Sequence, residues 1–328
     1  MVSGLDPTLL SADSLSRAAV ILAVGLLLLF SSVVTIIILL NNETLKDVIG
    51  IYLVSLAFAD LLFALLIVPL SIYSALSPNW NFLGDDSGIC KCSSYLMIVL
   101  LSSTIYTYAW IGVDRYAAFM KPSRYEIEHT MTRCKCWITF SWITALLLAM
   151  PVFIVSQMEV NYYSEFELCV LNWSSALAYS ITLSVLVLVP SVLTVCFTVF
   201  SVVTSMRKTE ELEDSQRTII ETDENFVVTI FVLVAFVLSW FPMIVVQFMP
   251  SSLIHPADSA TMKFAFMWLA IGGSSSKLLI YLFTNHEFRK SFCSVCTVLY
   301  RRHRRRPGYT ATAMDENENN GRLPNNST

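Results

Sequence analysis

Residues 90–116 read CKCSSYLMIVLLSSTIYTYAWIGVDRY, an apolar helix with a cysteine at one end and Asp114-Arg115-Tyr116 at the other. At 1.5 Å of rise per residue, the stretch from Cys90 to Arg115 covers roughly 37 Å, enough to cross a bilayer with some tilt. The cysteine end can be pinned by a disulfide, which an oxidising compartment permits. The other end carries an acid–base pair where a buried helix meets the cytoplasm. The rest of the chain is organised around this helix.

Of 328 residues, 55% are hydrophobic and 14% charged, and the mean hydropathy is +0.63. Soluble domains carry about 25% charged residues, so this is a membrane protein. The net charge of −4 says little, because the charges are segregated along the chain. The first residues hold Asp6, Asp13 and a single Arg17, without the basic start of a cleavable signal peptide, so the first apolar span is expected to be its own signal-anchor. Eight cysteines suit one outer bridge plus free thiols rather than a disulfide framework. No fixed-period repeat suggests a solenoid or a duplicated transporter half.

Seven apolar spans emerge: Ala18–Leu40, Val48–Leu76, Ile89–Phe119, Cys136–Ser156, Ala176–Ser205, Phe226–Met249 and Met262–Phe283. With the N-terminus outside, Arg17, Lys91 and Lys263 are the outer cations and Lys277 lies within a span; the other 17 of the 21 lysines and arginines fall inside. That bias places the N-terminus outside the cell and the C-terminus in the cytoplasm. Cys90 and Cys169 are then both outside and Asp114-Arg115-Tyr116 inside. The expected organisation is an extracellular segment 1–17, a seven-helix transmembrane bundle 18–284, an amphipathic helix 285–298 and a disordered cytoplasmic tail 299–328.

The marks on these spans resemble those of the rhodopsin-like (class A) G-protein-coupled receptors. Leu56-Ala57-Phe58-Ala59-Asp60 looks like the family's second-helix signature, and Asp114-Arg115-Tyr116 its third. Trp142 and Pro151 match the fourth, Pro190 the fifth, and Phe236 with Trp240-Phe241-Pro242 the sixth. Tyr281 followed by Phe288-Arg289 resembles the end of helix seven and the start of a short eighth helix, and Trp80 before Cys90 fits the first outer loop. So many marks in order implies a plasma-membrane receptor that moves helix six and couples to a heterotrimeric G protein, with arrestin as a further candidate partner.

The resemblance also implies roles for single residues. Cys90 and Cys169 would form the outer disulfide; Cys92 competes, but Cys90 lies 25 residues before Arg115, as in the family pattern. Arg115 would pair with Asp114 at rest and extend toward the G protein on activation. In many relatives a glutamate at the base of helix six completes this lock; here Thr222 stands there, with Glu221, Asp223 and Glu224 flanking it as substitutes. Ile105, Pro190 and Phe236 match the core switch, with Trp240 and Pro242 at the kink beneath a ligand and Tyr281 at the inner end of helix seven. The switch positions suit a bistable packing, since proline removes a helix hydrogen bond and bulky side chains repack in steps.

Asp60 is the most informative acid. A lone carboxylate at mid-membrane costs about 2.5–3.5 kcal/mol on insertion scales, so it needs a partner. In the family this aspartate helps hold a sodium ion and faces an Asn-Pro pair; here Ser276-Lys277-Leu278-Leu279-Ile280-Tyr281 replaces that motif. The ammonium of Lys277 is expected in the sodium's place, paired with Asp60; the alternatives are that it points elsewhere or is neutral. A retinal cofactor is not expected: the position matching the opsin lysine is Ile271, and the counterion position is Ser93. Further departures are Ser32 for an asparagine in helix one, Thr198 for a tyrosine in helix five, and Leu278 for proline, which should leave helix seven straighter.

By family position the ligand cavity would be lined by Met97, Leu101, Thr182, Met243, Ile244, Gln247, Met267 and Ile271 above Trp240. Met97 stands where amine receptors carry an aspartate, so an apolar small molecule, a lipid or a peptide fits better than an amine. Asn172-Trp173-Ser174 is the outward N-glycosylation sequon, and its closeness to helix five argues against occupancy. Cys293 and Cys296 on the amphipathic segment are candidate palmitoylation sites, and residues 301–306 form a basic run suited to anionic lipid rather than to nucleic acid. No nucleophile–base pair, phosphate loop or metal cluster points to an enzyme. The rival readings are a receptor-shaped scaffold that binds without signalling, and a transporter using Asp60 and Lys277.

Overall fold

The computed structural model describes residues 12–77, 80–85, 87–128, 130–155, 158–172, 175–207, 214–248 and 256–304. Its elements form a bundle of seven spans. Helix α1 (Ala12–Asn41) is span one, and its polar first turn is held by an ion pair between Asp13 and Arg17 at 3.0 Å. Helices α2 (Val48–Leu66) and α3 (Val68–Leu76) make span two, broken at Ile67 just ahead of Pro69, which has no N–H to continue the ladder. Asp47 caps α2 by accepting from the Gly50 N–H.

Helix α4 (Gly88–Met120) is span three; Ser87 caps it by accepting from the Cys90 N–H. It touches spans two, four, five and six and both outer strands. That position goes with its many buried serines and threonines; two of their hydroxyls bond to carbonyls one turn back, Ser103 to Leu100 and Thr107 to Ser103. Helix α5 (Pro122–Glu128) follows in the inner loop. Helices α6 (Met131–Ala149) and α7 (Pro151–Ile154) make span four.

An outer hairpin of β1 (Val160–Tyr163) and β2 (Leu168–Leu171) pairs antiparallel, Val160 opposite Leu171 and Tyr163 opposite Leu168. Span five consists of α8 (Leu177–Leu183), a π turn (Ser184–Leu188) and α9 (Val189–Arg207). Pro190 cannot donate to the Leu186 carbonyl one turn back, and the Tyr106 hydroxyl of span three takes that acceptor at 3.1 Å. Helices α10 (Asp214–Thr222) and α11 (Glu224–Phe248) meet at Asp223 and carry span six.

Span seven corrects an expectation. Instead of straightening, α12 (Pro256–Gly273) and α13 (Ser276–Thr284) meet at a 44° bend. The cause is the segment Gly272-Gly273-Ser274-Ser275, poor in helix propensity, where Ser274 and Ser275 bond only three residues back. Gly273 also admits span six: a Cβ there would lie 2.3 Å from the Ser239 Cβ.

The last helix, α14 (His286–Arg304), continues beyond the expected end at 298 because no glycine or proline intervenes before Pro307. It packs Phe288, Phe292 and Val295 on the bundle and leaves Cys293 and Cys296 exposed. Spans one to six are each long and apolar enough to cross a membrane, and the bent pair is a seventh by the same measure.

Candidate functional site

Where α12 turns into α13, the bend aims Lys277 into the bundle. Its side chain is 1% exposed, and its ammonium donates to Asp60 Oδ2, to the Ser274 carbonyl at 3.0 Å and to Ser274 Oγ at 3.0 Å. Ser274 Oγ donates to the same Asp60 oxygen at 2.7 Å. All three ammonium protons thus find acceptors, and the carbonyl freed by the bend is one of them. The structure brings Asp60 and Lys277 together without a gap between them. Ser32 is fully buried on span one, and its hydroxyl has no partner among the described residues.

One cavity adjoins Asp60, and a second lies beyond it. The smaller, about 60 Å³, runs from Asp60 and Ser274 to Trp240, with Met267 and Ile271 in its wall. The larger, about 530 Å³, lies among spans three, five and six and is lined by Ile105, Val187, Met243 and Ile244 among others. Met97, Leu101, Phe236 and Trp240 line both and form the partition. Phe236 stacks on Tyr108 with ring centres 4.0 Å apart, and it packs against the cluster of Ile105, Leu183 and Val187.

Two expected residues fall elsewhere. Thr182 is exposed, its hydroxyl bonded to the Ala178 carbonyl; the inward stripe of span five is Ser180, Leu183 and Val187, so Thr182 faces away from the cavity. Pro190 also faces outward, and the Leu186 carbonyl one turn before it accepts from Tyr106. The Gln247 side chain lies outside the described residues. Pro242 sits within α11, as its position implied.

At the inner end, Asp114 and Arg115 are 0% and 3% exposed. Arg115 Nε and Nη2 donate to Asp114 Oδ2 at 3.1 and 2.7 Å, and Nη1 donates to Asp223 Oδ2 at 2.9 Å. One guanidinium therefore bridges the neighbouring acid and the base of span six, a use of its rigid fork that lysine does not offer. Asp223 is the flanking acid that reaches the arginine; its other oxygen accepts from the Asn225 N–H and starts α11. Tyr116 turns from this cluster to Phe197 of span five, with rings 5.4 Å apart. Tyr281 is buried 3.5 Å from Thr229 of span six, while Thr198 donates to the Gly112 carbonyl.

Sequence reasoning missed the neighbours of this cluster. The Tyr125 hydroxyl of α5 lies 3.3 Å from Arg115 Nη2 and donates to Asp114 Oδ2 at 3.2 Å. Asn225 donates to Asp47 at 3.1 Å and accepts from Asn285 at 2.9 Å, tying span two, span six and the start of α14. Burial raises Asp47 above the ordinary carboxylate range, against the lowering effect of the Gly50 N–H. Only Asp47 left a signal, an aspartate just ahead of an apolar run. Tyr125, Asn225 and Asn285 are single polar residues of common types, without a pattern.

At the hairpin end of the bundle, Cys90 and Cys169 form a disulfide with Cα atoms 5.4 Å apart, and Cys92 is free. The hairpin is held further by Trp268 Nε1 donating to the Phe166 carbonyl at 3.0 Å, Lys263 paired with Glu165 at 2.8 Å, and Arg17 donating to the Ser164 carbonyl at 2.9 Å. Asn172 Nδ2 donates to Glu159 at 3.3 Å, and the other two residues of its sequon lie outside the described residues.

The family model for the 7 transmembrane receptor (rhodopsin family) matches residues 31–304. The chain is 26% identical to the mouse (Mus musculus) protein named G-protein coupled receptor 52, over 75% of this chain and 72% of that one. It is 24% identical to the Danio rerio melatonin receptor type 1B-B, covering 86% and 82%, and 24% identical to the Rattus norvegicus pyroglutamylated RF-amide peptide receptor, covering 95% and 78%. Squid rhodopsin shares the fold, with a TM-score of 0.72 at 19% identity over 87% of this chain and 86% of that one. Seven spans, the buried Asp114-Arg115 pair, the outer disulfide and the family match over most of the chain agree: it belongs to the rhodopsin family of seven-transmembrane receptors, and is a G-protein-coupled receptor of the plasma membrane rather than an enzyme.

Proposed function

We propose that the receptor is held at rest by Arg115 bridging Asp114 and Asp223, and that an apolar ligand above Trp240 releases it. The observation that carries this is the single guanidinium bonded to span three and span six at once. A ligand in the larger cavity presses on Met97, Leu101, Phe236 and Trp240, the partition behind which the Asp60–Lys277 pair lies. Movement of span six then separates Asp223 from Arg115 and exposes the arginine to the G protein, with the N-terminus outside and the C-terminus in the cytoplasm. Arrestin would meet the same inner face. Palmitoyl groups on Cys293 and Cys296 would fix α14 to the inner leaflet.

The test is ligand-free nucleotide exchange on a panel of Gα subunits. The Asp223 side chain is 37% exposed, so solvent screens its pair with Arg115 to about 1 kcal/mol. Asp223→Asn should therefore raise basal exchange about fivefold. Adding Arg115→Ala should abolish it. Basal exchange unchanged by Asp223→Asn, in a receptor whose Arg115 is shown to be needed, would refute the lock.

A further inference from the structure

Among the described residues, the larger cavity meets the hairpin at one end and reaches the surface of the bundle at its side. Val170 and Leu171 of β2 lie against it, on a hairpin tied down by the disulfide and by the bonds from Trp268, Lys263 and Arg17. Tyr162 N–H adds a bond to Asp85 at 2.8 Å. A ligand arriving through the hairpin would have to break these ties.

Span five packs closely on span three but sparsely on span six. At that gap Leu188, Phe241 and Ile244 line the cavity and also face outward, 44%, 59% and 43% exposed. All three lie within stretches long and apolar enough to cross a membrane, which turns the gap toward lipid. Among the described residues no charged side chain lines the cavity. Ser94 and Ser102, 1% and 6% exposed, place hydroxyl-bearing side chains of span three in its lining. Burying a charge against this lining would be costly, whereas one neutral polar group can be satisfied there.

We propose that an uncharged, lipid-soluble molecule with an apolar body and one hydroxyl or carbonyl end enters this cavity sideways from the bilayer, between spans five and six. The inference rests on the apolar-ligand reading above and adds the route and the polar end. Ser94 and Ser102 supply the hydrogen bonds, and Leu188 and Ile244 are the gateposts.

The probe is a long-chain alcohol bearing a diazirine, added to the full chain in phosphatidylcholine nanodiscs, with adducts mapped by mass spectrometry. Saturable labelling of Met97, Leu101 and Met243, displaced by unlabelled long-chain alcohol, is expected. Leu188→Trp with Ile244→Trp should slow it about tenfold. Leu193→Trp, equally on the outer face of span five but not lining the cavity, should leave the rate alone. Ser94→Ala with Ser102→Ala should weaken apparent affinity about fivefold. Cavity labelling at an unchanged rate in the gatepost variants, sped by Lys263→Ala, would overturn the sideways route and keep the apolar cavity. Adducts scattered over outward residues such as Leu147 and Phe200, with no saturable component, would overturn both.

Discussion

Replacing Lys277 by methionine removes the cation at the centre of the bundle and leaves Asp60 with one described donor, Ser274 Oγ at 2.7 Å. Asp60 is 7% exposed and Lys277 1%, so water does little to screen the charge left behind. Breaking a buried pair from one side costs about 3–5 kcal/mol, and the Ser274 carbonyl, losing its bond from Lys277, adds about 1 kcal/mol. Asp60→Asn keeps the shape and one acceptor, and should fall at the low end of that range. A receptor only about 5–15 kcal/mol stable would lose much of its surface population with either change. The double variant buries no charge, so it should recover to within about 2 kcal/mol of the parent, a strong non-additivity. Surface expression and thermal-inactivation half-life in detergent measure this. A double variant no better than the singles, or a Lys277→Met receptor as stable as the parent, would refute the reasoning.

Gly273→Ala places a methyl 2.3 Å from the Ser239 Cβ and should cost about 1–3 kcal/mol by overpacking spans six and seven. Ser239→Gly in the same chain should restore most of it, read as inactivation half-life. At the outer hairpin, burial raises Glu167 above its ordinary value, with the Tyr162 hydrogen bond and Arg17 opposing. A raised carboxyl binds its proton more tightly folded than unfolded, so its stabilising contribution is full below about pH 4.3 and lost as pH rises through the folded value. The parent should therefore gain thermal stability relative to Glu167→Gln as the pH falls from 7 toward that range; a parent–variant difference independent of pH would contradict it.

The spans were legible because a bilayer demands long apolar runs, and their marks were legible because each is a rare residue at a fixed place. Asp60 announced its need of a partner through the cost of a lone intramembrane charge, and Lys277 was the cation in reach of the same depth. The bend of span seven was misjudged from Leu278, because glycine and serine spread over four residues weaken a helix as one proline does. Thr182 was misplaced because a helix turns about 100° per residue, and a one-residue error carries a side chain off the core stripe. The Asp47–Asn225–Asn285 network was invisible, since it joins three distant segments through side chains of ordinary type.

The resting lock is tested most directly by the distance between the inner ends of spans three and six. Spin labels on the exposed Lys121 and Glu221 positions, with the exposed native thiols replaced, report it by pulsed electron resonance. If Arg115 holds span six through Asp223, Asp223→Asn shifts the ligand-free distribution of the doubly labelled receptor to longer distances. A distribution identical to the parent's, or a shorter one, would contradict the lock.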